Sequence, residues 1–319
     1  MPEKIETTQL LFGGILGALI LATIIVNIIK RSATDPKHHQ ILKTINSRIG
    51  IWWAMCGVFA IAALTHGIGS IIMFAITSFL LLREFITITP TRKADHHTCF
   101  WAFFIILPLQ YYFLWINWYG FFIILIPVYA FLFVPLRTVL TGDTHHFMER
   151  TARIQWALMI CVYCVSHAPG LLKINFSGSQ GTGLRLLLYL CLIVQMNDLT
   201  QIIYSQMQGN DPDKNSENNN IRPQVLTGIL VSALLGLALA WATPFSLLQS
   251  AAMAILIAVM GTTGNLCYTA IVADRGKPGV VVVHTRPSAI SRLISLCFAA
   301  PMFFHIVRFY FTSPPPAVF

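Results

Sequence analysis

Charge is what this chain has least of. Asp, Glu, Lys and Arg make up only 10 % of its 319 residues, where a soluble domain carries about a quarter. Apolar residues reach 56 % and the mean hydropathy is +0.69, which excludes an ordinary soluble domain and points to the membrane class. Acidic residues are scarcer still, with 12 in the chain and none after Asp274. The net charge of +9 forms no basic patch. Its cations sit in short loops between apolar runs, as the positive-inside pattern produces, and this argues against nucleic-acid binding. The first apolar run follows Glu3, Lys4 and Glu6 and lacks a small-residue cleavage site, so it is expected to be a true span. A thiol framework is missing as well. The seven cysteines lie mostly inside apolar runs, and Cys161 and Cys164, three apart, read as one packed helix face.

What is present is a series of nearly uncharged runs, each long enough to cross a hydrocarbon core of about 30 Å. The expected fold is all-α, a polytopic integral membrane protein of about 10 transmembrane helices. The runs cover approximately 9–29, 50–65, 68–82, 99–116, 119–136, 154–172, 184–204, 225–241, 245–272 and 289–311. Residues 1–30 make the first helix, 31–175 an N-terminal membrane region and 176–319 a C-terminal one. Arg83-Glu84 is expected to close the third run, and Ser166-His167-Ala168-Pro169 to interrupt the sixth. Basic residues collect after alternate spans, while the opposite loops carry Lys173 and little else. That asymmetry places the N-terminus outside and the polar motifs on the cytoplasmic side.

Few polar residues lie where chemistry could use them. Asp198 follows more than ten residues of apolar helix, and an ionisable group there is costly unless paired or wetted. Asn197, Asp198 and Gln201 fall within one turn and can converge on one face. They read either as a metal or phosphate site at the membrane boundary or as a helix end emerging into water. The His-His pairs at 38-39, 96-97 and 145-146 are a weak metal motif, because neighbouring side chains diverge. His167 reads as a packed or interfacial histidine ahead of a cavity-lining one. Pro108, Pro127 and Pro301 read as helix kinks.

One longer stretch carries a specific likeness. An Asn-Asp pair ends a span, a polar loop follows, and a Gly-rich span then leads to Asp274-Arg275-Gly276. A basic connection comes next, and the last helix contains Ser291-Arg292-Leu293-Ile294-Ser295. This order resembles the phosphatidate cytidylyltransferase (CDP-diacylglycerol synthase) family, and its bacterial paralogue branch in particular, which shares a Trp-Trp like Trp52-Trp53. The likeness covers about residues 45–312, strongest at 197–201 and 261–304. It implies a multi-helix membrane fold, CTP and a phosphatidate-like membrane phospholipid as substrates, and Mg2+ if the protein is active. It also implies a homodimer, or a heteromer with an active paralogue, in the bacterial inner membrane.

The charged positions of that family pattern are mostly replaced. Asn265 follows Gly264 where the pattern has Asp, Val272-Ala273 stands for Lys-Arg, and Pro278 follows Lys277 in place of Asp. Ser291 and Ile294 flank Arg292 where two aspartates are expected, and Arg222 to Gly228 has lost a Lys and a Glu. Of the expected carboxylates only Asp198 is left, and a hard cation is usually held by one or two carboxylates together with phosphates. Asp198 is the candidate catalytic and metal-binding residue if the chain is active. Asn197, Arg222, Arg275, Lys277, Arg286 and Arg292 are the candidates for holding a lipid phosphate, although Arg222, Arg275, Lys277 and Arg286 also fit simple loop charge. Arg292, inside the last helix, calls for a bound anion or a buried partner such as Asp198. The leading expectation is a homologue with an eroded metal site, non-catalytic or dependent on a partner. The alternative is an active CTP-dependent lipid nucleotidyltransferase with a rearranged site using Asp198, Asp274 and the basic loop. Transport through the membrane is the third reading.

Overall fold

Long apolar runs leave the backbone one solution in a membrane, since every N–H and C=O must be paired within its own segment. The computed structural model follows that rule. It describes residues 68–89, 92–174, 176, 181–208, 221–274 and 289–312, together with 19–29 and scattered positions between 13 and 65. The described helices are α1 (Leu19–Ile29), α2 (Ile68–Ile88), α3 (His96–Trp115), α4 (Tyr119–Val139), α5 (Phe147–Lys173), α6 (Thr182–Met207), α7 (Arg222–Ala238), α8 (Leu247–Asp274) and α9 (Ala289–Phe311). The protein is all-α. Seven of these, α2 to α6 with α8 and α9, are long and apolar enough to span a bilayer, while α1 and α7 are shorter apolar helices.

Two local expectations are corrected. α2 does not stop at Arg83-Glu84 but runs on to Ile88. Glu84 is tolerated there because its carboxylate Oε2 accepts the backbone N–H groups of Ala289 and Ile290 at 3.0 and 3.3 Å, capping the start of α9. Ser166 to Pro169 does not interrupt α5 either. Ser166 Oγ and His167 Nδ1 both donate to the Tyr163 carbonyl, at 2.7 Å each, so these two donors are paired within the helix, while His167 Nε2 has no hydrogen-bond partner among the described residues. Widened π turns occur at Ala102–Ile106, Leu125–Ala130 and Met159–Cys164. The first ends two residues before Pro108 and the second contains Pro127. A widened turn accommodates a proline ring that would otherwise press on the carbonyl four residues back.

Burial separates inner helices from outer ones. In the most apolar stretch of α5 and of α6, 72 % is buried, against 22 % in α4. α6 packs on α7, α8 and α9, and α9 also packs on α5 and α2. Close approach is allowed by small residues, as expected where lipid tails are as apolar as leucine. A Cβ on Gly236 would stand 2.6 Å from the Ala254 Cβ, and one on Gly264 2.9 Å from the Ile294 carbonyl. Side-chain hydrogen bonds add to this: Tyr189 OH donates to the Ser250 carbonyl at 2.5 Å, and Ser250 Oγ donates to the Gly236 carbonyl at 2.6 Å. None of the seven cysteines forms a disulfide, in keeping with their packing role.

Candidate functional site

α6, α8 and α9 meet around Asp198. α6 continues to Met207, and Asp198 is only 3 % exposed, so its carboxylate is not at a helix end in water. Three side chains face it. Ser295 Oγ on α9 donates to Oδ1 at 2.8 Å, and Asn265 Nδ2 on α8 donates to the same oxygen at 3.1 Å. Arg48 Nη1 approaches Oδ2 at 3.9 Å and also reaches the Gln195 Oε1, one turn back on α6, at 3.4 Å. The carboxylate thus holds an O–H, an N–H and a guanidinium. Ser295, 1 % exposed with its hydroxyl committed to Asp198, is closed to substrate.

Gly261 and Gly264 let α9 come this close. The Ser295 Cβ would lie 3.3 Å from a Cβ at Gly261, so the glycine face of α8 sets how far Ser295 reaches towards α6. Arg292 lies one turn before Ser295 on α9 and is near enough to Arg48 to act on it as a like charge. Among the described residues no ion pair joins Arg292 to Asp198. Of the two readings of Arg292, a bound anion or a pairing with Asp198, the second is not seen; the cation at Asp198 is Arg48, 150 residues away in sequence.

Asn197 and Gln201 belong to a different face. Asn197 Nδ2 donates to the Thr262 Oγ1 at 3.3 Å and to the Ala258 carbonyl at 3.4 Å, and its Oδ1 accepts Gln201 Nε2 at 3.1 Å. Gln201 Nε2 also donates to Thr262 Oγ1 at 2.7 Å. Gly228 of α7 sits against this pair, with 2.6 Å between a would-be Cβ and the Asn197 Oδ1. Asn197 and Gln201 therefore tie α6 to α8 under α7, and only Asp198 turns to α9. The three residues of one turn do not converge.

Arg222 begins α7 and is exposed. Arg275, Lys277 and Arg286 lie outside the described residues, as does the pair His38-His39. His96-His97 opens α3, and His146 Nδ1 faces Glu149 at 3.5 Å. Among the described residues no group of three or more His, Cys, Asp and Glu could hold a metal ion. Sequence reasoning missed Arg48, Gln195 and Ser295 as site residues. Gln195 carried a local signal, being three residues before Asp198 on the same helix, and Arg48 had none beyond its place in a basic loop.

Comparison with known proteins bears on this arrangement. A model of the cytidylyltransferase family matches residues 46–271, well over half of the chain. The match begins just before Arg48, includes Asn197, Asp198 and Asn265, and ends before α9. The uncharacterized protein YnbB of Escherichia coli (strain K12) is 28 % identical over 299 residues, covering 91 % of this chain and 95 % of that protein. No solved structure matches. The chain belongs to the cytidylyltransferase family.

Proposed function

We propose that this chain is a membrane homologue of the phosphatidate cytidylyltransferases whose metal site is eroded, and that it binds an anionic phospholipid without transferring a nucleotide to it. One observation carries the reading: Asn265 hands an N–H to Asp198 at 3.1 Å. The family pattern has an aspartate at that position, and a second carboxylate there would face Asp198 across a cation. The amide instead spans the gap directly, occupying a lone pair a cation would need. With Ser295 on the same oxygen and Arg48 beside the other, the donor set does not fit Mg2+, which takes oxygen ligands in near-octahedral geometry. Without a dication at the phosphates the main electrostatic aid to nucleotidyl transfer is missing.

The basic residues support the binding half of the reading. Arg48 and Arg292 together outnumber Asp198 by one charge, a balance suited to a phosphate in a partly buried, low-dielectric setting. Arg222, Arg275, Lys277 and Arg286 extend the same basic character along the chain. Asn197, tied to Thr262 and Gln201, positions α6 and does not offer itself to a ligand. The protein then acts in phospholipid metabolism at the cytoplasmic side of a bacterial inner membrane, through lipid binding or through an active relative. The experiment is lipid analysis of the purified chain. Wild type is expected to retain a phosphatidate-like lipid that Arg48→Gln/Arg292→Gln loses; equal lipid content in both defeats the reading.

A further inference from the structure

The far end of α9 carries a second cationic feature. Arg308 lies 13 residues beyond Ser295, about 20 Å along the helix axis, so it belongs to the opposite end of the bundle from Asp198. There a cleft opens between the α3–α4 turn, the end of α5 and α9, and its walls include Asn117, Tyr119, Phe122, Lys173, Phe304 and Arg308. Two cations face this cleft and no acidic side chain lines it. Lys173 Nζ donates to the Trp115 carbonyl at 3.3 Å, and the Arg308 guanidinium lies 3.4 Å above the Tyr119 ring. Among the described residues neither cation forms an ion pair. Each is held in place by a neutral group, which orients it and leaves its charge uncompensated.

The surroundings specify what would neutralise them. Trp115, Trp118, Phe309 and Tyr310 are all more than half exposed around this end of the bundle. Exposed Trp and Tyr at a helix end mark the level of lipid head groups. The inner walls of the cleft are aromatic, Phe122 and Phe304 being packed edge to face at 6.2 Å. A ligand matching the two cations and the exposed aromatic rim has a phosphate at one end and apolar chains at the other.

We infer that this cleft is an anionic phospholipid site, distinct from the Asp198 centre, in which Lys173 and Arg308 hold the head-group phosphate, the Tyr119 ring fixing the Arg308 guanidinium from its other side. Arg308 presents a fixed fork to two phosphate oxygens and Lys173 a movable point charge, a pairing suited to a phosphodiester. Free phosphate shares that chemistry but has no use for the aromatic wall.

The test is photo-crosslinking of the full chain in phosphatidylcholine nanodiscs with a trace of phosphatidylglycerol carrying a photoreactive acyl chain. Adducts are mapped by peptide mass spectrometry, so the readout is local and independent of Asp198. Adducts on the segments 113–122 and 300–311 are expected. Lys173→Glu, which changes a side chain at the surface of the fold, is expected to lower them about tenfold, and Lys173→Gln/Arg308→Gln by a similar factor. Unchanged adduct yield in Lys173→Glu overturns the site. Inorganic phosphate that abolishes the adducts at millimolar concentration, or equal labelling by photoreactive phosphatidylcholine, overturns the assignment to an anionic lipid.

Discussion

Asn265 on α8 donates its side-chain N–H to Asp198 on α6 across 3.1 Å. The two residues lie 67 positions apart in the chain, and their contact ties α8 to α6 through one hydrogen bond. Asn265→Asp is expected to set two carboxylates against each other beside Ser295, costing about 3 kcal/mol in metal-free buffer. Millimolar Mg2+ should recover most of that loss in Asn265→Asp and leave wild type unmoved. Thermal unfolding in detergent with and without Mg2+ checks it, and a Mg2+ shift in wild type counts against the account.

Arg48 and Asp198 should be energetically coupled. Arg48→Gln leaves a buried carboxylate with two neutral donors, and its expected cost is about 2 kcal/mol, less than a fully desolvated pair because the distance is 3.9 Å and the Arg48 side chain is 14 % exposed. In the Asp198→Asn background the same change should cost much less. A double-mutant cycle reads the difference, with about 1 kcal/mol of coupling expected.

Glycines on α8 should differ in a way that contact geometry sets. A Cβ at Gly264 meets the Ile294 carbonyl at 2.9 Å, a backbone atom that cannot rotate away, whereas one at Gly261 meets the Ser295 Cβ at 3.3 Å. Gly264→Ala should therefore destabilise by about 2 kcal/mol and Gly261→Ala by clearly less. Denaturant unfolding monitored by tryptophan fluorescence separates them.

At the loop end of α5, Arg150 is 3 % exposed and makes a two-point contact with Asp95, itself 1 % exposed. Arg150 Nη1 also meets Asp143 at 2.9 Å. The His145 backbone N–H holds the Asp143 carboxyl below its ordinary range, with Arg150 and Arg92 adding to the effect. A lowered folded value means the contribution is complete above the ordinary aspartate value, about 3.9, and is lost as pH falls through the lower folded value. Asp143→Asn should remove that contribution, lowering stability slightly at neutral pH, flattening the acid limb of a pH–stability profile and leaving its low-pH end unchanged. Arg150→Met should cost about 3–5 kcal/mol at neutral pH, because it strands Asp95.

Much of the fold was legible because apolar runs in a membrane have so few alternatives. The last helix was bounded at 289 and 311 by sequence, as the structure has it. Errors fell where a polar residue finds a distant partner. Glu84 read as a stop because nothing local shows that it caps a helix 205 residues away. Ser166 and His167 read as a break because their return to the Tyr163 carbonyl is a matter of side-chain geometry, not composition. At the site, Asp198 stood out by its depth in apolar helix, whereas Arg48 was one cation among many in a basic loop. The split between Asn197 and Asp198 is a matter of helix rotation, since neighbouring residues point about 100° apart and only packing decides which neighbour each meets.

The most direct test is turnover by the purified chain given CTP, phosphatidate and Mg2+, with Asp198→Asn as the reference. The account predicts no CDP-diacylglycerol above the level of the Asp198→Asn protein. Product formed by wild type and abolished in Asp198→Asn would contradict it and make Asp198 a catalytic residue.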